Sequence, residues 1–293
     1  MELNLSKATQ PYEYYLKFIK QNCRPDNRKL SEIRPVNISY NCINTVNGSA
    51  LVKLGSTNVI CGINARVCKP KEERPDKGFV ICNVELPALC SSKNFKTSSS
   101  ILANASAQSS VSVEQSQAML TQLMQDIIYE SGCVKEEDLC IKEGKLVWVL
   151  YIDMICLNND GNVQDACCLA MLSALKTVKL YEMDYDDDEN KPIVKYPLSL
   201  IPLKLYSEPI CTTLFVLEEN VILADPNKQE EEFMRTYIII CTVNKNDKTK
   251  VCLMRKIGGF CLSTEQINLC IDRAIENDLM QHKRSLEKLA ESP

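Results

Sequence analysis

The chain has a single histidine, His282, and none of its sixteen cysteines stand at Cys-x-x-Cys spacing along its 293 residues. Both absences weigh against mixed Cys/His zinc sites, which need closely spaced thiols and imidazoles. Long apolar runs are lacking too. The longest, Leu146 to Leu157, is interrupted by Asp153 and falls short of the roughly 20 residues that span a bilayer. Met1 to Leu5 carries an acid and leads into no apolar h-region, so neither a secretory signal nor a membrane partner is expected. Positive charge is not in excess. The formal net charge is −4, with no long basic run and no interleaving of aromatic and basic residues. A protein that holds RNA unaided usually has such a basic surface, because phosphate neutralisation supplies most of the affinity. A free-standing RNA-binding protein is therefore disfavoured, and any RNA contact would be local and shared with partners.

What is present is ordinary for a globular protein: 45% apolar and 25% charged residues, in a chain long enough for one large domain or two of common size. Many cysteines sit inside apolar runs, such as Cys61 after Val59-Ile60, Cys156 after Met154-Ile155 and Cys241 after Ile238-Ile239-Ile240. Free cysteine packs as a small apolar residue. These positions read as core, and reduced thiols fit a cytosolic or nuclear protein.

Pro11 to Gln21 places Tyr12, Tyr15, Leu16 and Ile19 at helical spacing, which predicts a short docking helix. Val36 to Ile43 and Ser49 to Leu54 read as strands joined through Asn47-Gly48, a strong hairpin signal. Asn58 to Ala65 and Phe79 to Leu86 read as further strands, separated by a charged loop over Lys69 to Gly78. The serine-rich stretch Thr97 to Val113 reads as a surface loop. Met119, Leu120, Leu123, Met124, Ile127 and Ile128 then share a helix face, with Gly132 as the stop. Leu146 to Leu157 has the pattern of a strand covered on both faces, and Asp165 to Val178 that of a compact helix. Strands over Ile210 to Leu217, Val221 to Ala224, Thr236 to Val243 and Lys250 to Met254 follow. Ser263 and Gln266 make a capping box for a last helix. Strands then helix, twice over, predicts an α+β fold. The expected division is an arm over 1–30, a domain over 31–180, an acidic linker over 181–194 and a second domain over 195–293.

Four stretches together resemble one family. Cys23-Arg24-Pro25-Asp26-Asn27-Arg28 is similar to the Arg-Pro-Asp-Gly-Arg opening of RNase PH domains, with Asn27 in place of glycine. Asn adopts positive φ more readily than other non-glycine residues, so the turn is expected to survive. Gly48 to Ile60 resembles the first hairpin and the turn after it. Leu86-Pro87-Ala88-Leu89-Cys90-Ser91-Ser92-Lys93 and Gly144 to Tyr151 are similar to RNase PH-like ring subunits of the eukaryotic RNA exosome. The resemblance implies a ribosomal protein S5 domain 2-like first domain and an RNase PH C-terminal domain, with mixed sheets packed by helices. It also implies a six-membered hetero-oligomeric ring of RNase PH-like subunits, S1-domain caps on one face, and single-stranded RNA threaded through a central channel. Degradation would fall to separate nucleases, and the subunit would work in the nucleus, including the nucleolus, and in the cytoplasm.

Active members of the family hold phosphate on a Gly-Gly-Thr-Arg-like turn opening a helix, where free N–H groups, the helix dipole and an arginine attract the anion. Aligned on that turn, Asp160 to Ala166 puts Gln164 where the arginine belongs and adds the charge of Asp165, which reads as a plain N-cap. The family's two catalytic aspartates, six residues apart, align with Glu231 and Tyr237, and tyrosine is neutral near pH 7. Both halves of the site are degenerate, so no catalysis and no cofactor is expected. Glu230 to Glu232 reads as a surface acidic run; isolated carboxylates rarely form magnesium sites, so no metal is expected either. Asp153 in its apolar strand reads as structurally satisfied. Lys93, Lys96, Arg66 and Lys69 are candidates for the RNA channel, against the equal alternative of solubilising surface charge. An active or composite-site phosphate-dependent exoribonuclease is the rival reading. A ring subunit is further expected to expose apolar faces near its first and last helices.

Overall fold

The computed structural model describes residues 11–19, 21–87, 90, 113–186, 191–194, 199–217, 221–232, 236–245, 248–259 and 261–291, with 280–291 described by backbone alone. The first half contains α1 (Pro11–Ile19), β1 (Val36–Tyr40), β2 (Gly48–Leu54), β3 (Thr57–Cys68), β4 (Phe79–Glu85) and α2 (Val113–Ser131). Next come β5 (Cys140–Lys142), β6 (Leu146–Asn158), α3 (Val163–Leu175), β7 (Lys179–Tyr181), β8 (Met183–Asp186), β9 (Lys191–Val194) and β10 (Leu200–Pro202). The chain continues through β11 (Pro209–Val216), β12 (Ile222–Ala224), α4 (Lys228–Glu231), β13 (Tyr237–Lys245), β14 (Lys248–Ile257) and α5 (Thr264–Glu291). The architecture is α+β. Among the described residues no helix is long and apolar enough to cross a membrane.

Two compact units form, and their boundaries differ from the expected ones. One unit gathers Met1–Pro35, Asp160–Asp165 and Ile210–Pro293; the other holds Val36–Asn159 and Ala166–Pro209. The stretch 181–194, expected as an acidic linker, lies inside the second unit. Its described residues include the antiparallel pair β8–β9, and Tyr181 ends β7 opposite Leu200 of β10. Asp184 and Asp186 lie on the β8 strand of that pair. The expected arm over 1–30 belongs to the first unit.

In the second unit the sheet runs β1-β2-β3-β6-β4, with β5 also on β6; every pairing is antiparallel except β4 with β6. The expected hairpin is present as β1–β2, but Asn47-Gly48 does not form its turn. Asn41–Asn47 connects the strands, Asn41 adopting positive φ. Gly48 is required for space: a Cβ there would lie 2.7 Å from Val178 Cγ2 and 2.9 Å from the Ala174 carbonyl. β6 is buried along Leu146–Leu150, but from Tyr151 onwards it alternates, so Asp153 is exposed and not a buried carboxylate. The outer edge of β4 is closed by side chains of α2. Gln125 accepts from the Cys82 N–H at 2.9 Å and donates to the Val80 carbonyl at 2.8 Å, while Thr121 accepts from the Val84 N–H at 3.2 Å. Positions 121 and 125 are one helical turn apart, so α2 presents a polar ladder that replaces a neighbouring strand. On its other face Leu120, Leu123, Met124, Ile127 and Ile128 are buried, and Gly132 ends the helix at φ 59°.

In the first unit the sheet runs β12-β11-β13-β14. Leu214, Val216, Ile238 and Ile240 on one face pack with Cys270 and Ala274 of α5. Phe215, Leu217 and Leu223 on the other pack with Tyr15 and Ile19 of α1. The apolar face expected to be exposed near the first helix is thus covered within the chain; on α5, Leu269 and Leu279 remain exposed. The capping box on α5 forms, Ser263 Oγ accepting from the Gln266 N–H and Gln266 Oε1 from the Ser263 N–H. The cysteines are free, and those in the apolar runs are buried. Burial pushes the Cys82 thiol up to about 12 and the Cys133 thiol up to about 11, as expected of core thiols.

Candidate functional site

The residues aligned with the family's active site lie together in the first unit. The helix begins at Val163, so Asp165 is its third residue and not its N-cap. Ahead of it, Gly161 and Asn162 take φ of 87° and 54°. Gly161 is dictated by space as well as conformation: a Cβ would stand 2.6 Å from the Asn227 carbonyl carbon and the Lys228 nitrogen. The Lys228 N–H donates to the Asp160 carbonyl at 3.0 Å, fastening the turn to the start of α4.

Asn162 is fully buried and touches three carboxylates. Its backbone N–H donates to Glu231 Oε1 at 2.7 Å. Its side-chain Nδ2 donates to Asp165 Oδ2 at 2.8 Å and to Asp225 Oδ1 at 2.7 Å. Asp165 also accepts from the Thr213 N–H at 3.0 Å and the Thr213 hydroxyl at 2.7 Å. Burial pushes the Asp165 carboxyl up to about 6; the donors from Thr213 and Asn162 pull it back, and the Asp225 charge adds to the rise. Gln164 is neutral and part-exposed.

Asp225 is the hub. It is buried at positive φ, and Arg34 grips it as a fork: Nε to Oδ2 at 2.9 Å and Nη2 to Oδ1 at 2.8 Å, with the Arg34 N–H on Oδ2 at 2.8 Å. Arg28 adds a contact to Oδ2 at 3.2 Å. Although burial opposes it, the Arg34 and Asn162 donors hold the Asp225 carboxyl below its usual range. Arg34 also reaches the carbonyls of Asp160 and Gly161, at 3.0 and 3.1 Å.

Arg24 is fully buried. It donates to the carbonyls of Asp225, Leu30 and Ala224 and lies 3.7 Å from Glu230. Burial lowers its guanidinium to about 10 against the pull of Glu230. Asn27 takes φ 66°, so the turn between Arg24 and Arg28 keeps the backbone that glycine would supply.

The acidic run at Glu230 to Glu232 is not a uniform surface. A capping box with Asn227 directs Glu230 inward, where it is buried, while Glu231 turns to Asn162. Tyr237 opens β13, its ring 5.3 Å from that of Phe215. Burial and then the Glu231 charge raise its phenol, so it stays protonated. The Asn162 N–H, just ahead of the helix, is therefore given to an internal carboxylate, and the arginines nearby contact Asp225, Glu230 and carbonyls.

Sequence reasoning grouped Gln164, Asp165, Glu231 and Tyr237 and missed Asn162, Thr213, Arg34 and the hub role of Asp225. One signal was available: an Asp-Pro after an apolar strand, in a chain with three arginines between 24 and 34, is a buried acid seeking cations. Of the channel candidates, Arg66 and Lys69 are exposed in the second unit, the Arg66 guanidinium 5.9 Å from the Tyr151 ring centroid. Lys93, Lys96, nearly all of the serine-rich stretch and the His282 side chain lie outside the described residues.

Comparison with known proteins identifies two domain matches that are continuous in sequence. The 3′ exoribonuclease family matches through its domain 1 over residues 32–180 and its domain 2 over residues 207–277. The chain is 32% identical over 271 residues to exosome complex component rrp43 of Schizosaccharomyces pombe, covering 92% of this chain and 93% of the relative. It is 31% identical over 265 residues to exosome complex component Rrp42 of Archaeoglobus fulgidus, covering 90% and 91%. A solved structure described as an Archaeoglobus fulgidus exosome with RNA bound to the active site superposes with a TM-score of 0.75 at 28% identity, covering 93% of this chain and 96% of that one.

Proposed function

Because the chain belongs to the 3′ exoribonuclease family, we propose that it is a ring subunit of an RNA exosome that has lost catalysis and serves architecture and RNA guidance. The observation that carries this reading is the Glu231 carboxylate on the Asn162 N–H at 2.7 Å. The helix end that would attract phosphate already holds an anion of the chain itself. Gln164 cannot clamp a phosphate as arginine does, and Tyr237 supplies no carboxylate.

In this reading the partners are other RNase PH-like subunits in a six-membered ring, with S1-domain subunits capping it. Single-stranded RNA passes through the assembled channel on its way to 3′-to-5′ processing or decay. Arg66 and Lys69 contact phosphates there without sequence preference, which suits a channel that must pass any RNA. The net charge of −4 favours RNA contact shared among subunits over a free-standing binder. The subunit would act in the nucleus, nucleolus and cytoplasm.

The test is phosphate-dependent degradation of single-stranded RNA by the purified chain and by its reconstituted ring. Absence of nucleoside diphosphate release traceable to this subunit is the expected result. Release that disappears on Glu231→Ala would replace this reading with a composite active site.

A further inference from the structure

We propose that Asp165 is a proton-operated clasp, closed by protonation, that holds the Asp160–Asp165 turn onto Asp225 and Thr213. The geometry is that of two buried carboxylates sharing one amide: Asn162 Nδ2 donates to Asp165 at 2.8 Å and to Asp225 at 2.7 Å. The surrounding charges are unequally shared. Arg34 and Arg28 neutralise Asp225, Asp160 pairs with Arg34, and Glu231 sits on the Asn162 N–H. Asp165 has the uncharged donors of Thr213 and Asn162, and Asp225 as its charged neighbour.

A proton taken from solvent hydronium onto Asp165 Oδ1 removes the repulsion between the two carboxylates. The network accepts it without rebuilding. The Thr213 hydroxyl, which now donates to Oδ1 at 2.7 Å, rotates and accepts from the new O–H, because a hydroxyl serves in either role. Asp165 is buried, so proton exchange with solvent requires the turn to open, and opening is coupled to charge. The upward position of the carboxyl at about 6 has the same sign. The closed turn prefers the neutral acid, so its stabilisation is complete at acid pH and is lost as pH rises through the folded value. This inference does not depend on the exosome reading.

Hydrogen exchange of the Asn162 and Thr213 amides, followed by mass spectrometry on the full chain and corrected for intrinsic rates, reads the opening directly. In the wild type the opening equilibrium should fall about ten-fold from roughly pH 7.5 to roughly pH 5. In Asp165→Asn, neutral at every pH, the same amides should show no such change. Parallel behaviour in the two proteins would overturn the proposal. Should Asp165→Asn fail to fold, carbon-13 titration of the wild-type Asp165 carboxyl decides. A midpoint near the value for exposed aspartate, about 3.9, or amide opening that does not follow the titration, rejects the clasp; wild-type opening that tracks a raised midpoint upholds it.

Discussion

The backbone N–H of Asn162 donates to Oε1 of Glu231 at 2.7 Å, across 69 positions of sequence. A charged acceptor on a backbone N–H contributes about 1.5–3 kcal/mol, and this one sits at the positive end of a helix. Glu231→Ala is expected to lower unfolding stability by about 1–2 kcal/mol, measured by denaturant titration. Wild-type stability should not rise with added inorganic phosphate, because the N–H is already engaged; a phosphate-dependent increase would contradict the occupied-site reading.

Arg34 and Asp225 should behave as a coupled pair. Removing one partner of a buried ion pair leaves an uncompensated charge, at about 3–5 kcal/mol. Arg34→Ala is expected to reach that range. Arg34→Ala combined with Asp225→Ala should be distinctly less damaging than the sum of the single changes. Additivity in a double-mutant cycle by equilibrium unfolding would disprove the coupling.

Acid sensitivity should arise from Asp225, opposite in sign to Asp165. Its folded carboxyl is held below its ordinary value by Arg34. The stability it contributes is present above the unfolded value of about 3.9 and is lost as pH falls through the depressed folded one. Asp225→Asn should be less stable than wild type at neutral pH, and that deficit should shrink at the acid end of a stability–pH profile.

Gly161 should tolerate no side chain. Its φ of 87° is unfavourable for an L-residue, and the Asn227 carbonyl carbon and Lys228 nitrogen would stand 2.6 Å from the new Cβ. Left-handed strain alone is about 1–2 kcal/mol, and backbone must also move. Gly161→Ala is expected to destabilise by more than about 2 kcal/mol, whereas Gly144→Ala, with open space at its Cβ, should lose only the conformational part. Equal losses in thermal unfolding would contradict the packing argument.

Gln125 should protect the β4 edge. Gln125→Ala leaves the Cys82 N–H and the Val80 carbonyl without the amide that now pairs with them. A loss of about 1–3 kcal/mol is expected, with increased self-association as the strand edge opens. Light scattering on the folded variant checks the second effect; an unchanged monomer fraction would count against an edge-closing role.

How much was legible in advance follows from the range of the interactions. The strand and helix positions came from periodicity, the α5 capping box from Ser263 and Gln266, and the turn at Asn27 from the conformational freedom of asparagine. These depend on residues within a few positions of one another. So did the suspicion that the aligned site is degenerate, since Gln164 and Tyr237 lack the needed chemistry wherever they lie. The rest required the fold. Nothing near Asn47-Gly48 reveals that Gly48 is needed to clear Val178. Nothing within the Glu230–Glu232 run tells which carboxylate turns inward. Composition marked an acidic stretch over 181–194 but not the pairing of β8 with β9 inside it. Above all, Asn162 gains its three carboxylates from positions 165, 225 and 231, and Asp225 gains its arginines from positions 28 and 34. Side-chain chemistry alone determined that Gln164 brings no guanidinium and Tyr237 no carboxylate to the aligned positions. Tertiary structure decided which buried charge meets which partner, because burial makes pairing obligatory while chain separation leaves the partner unspecified.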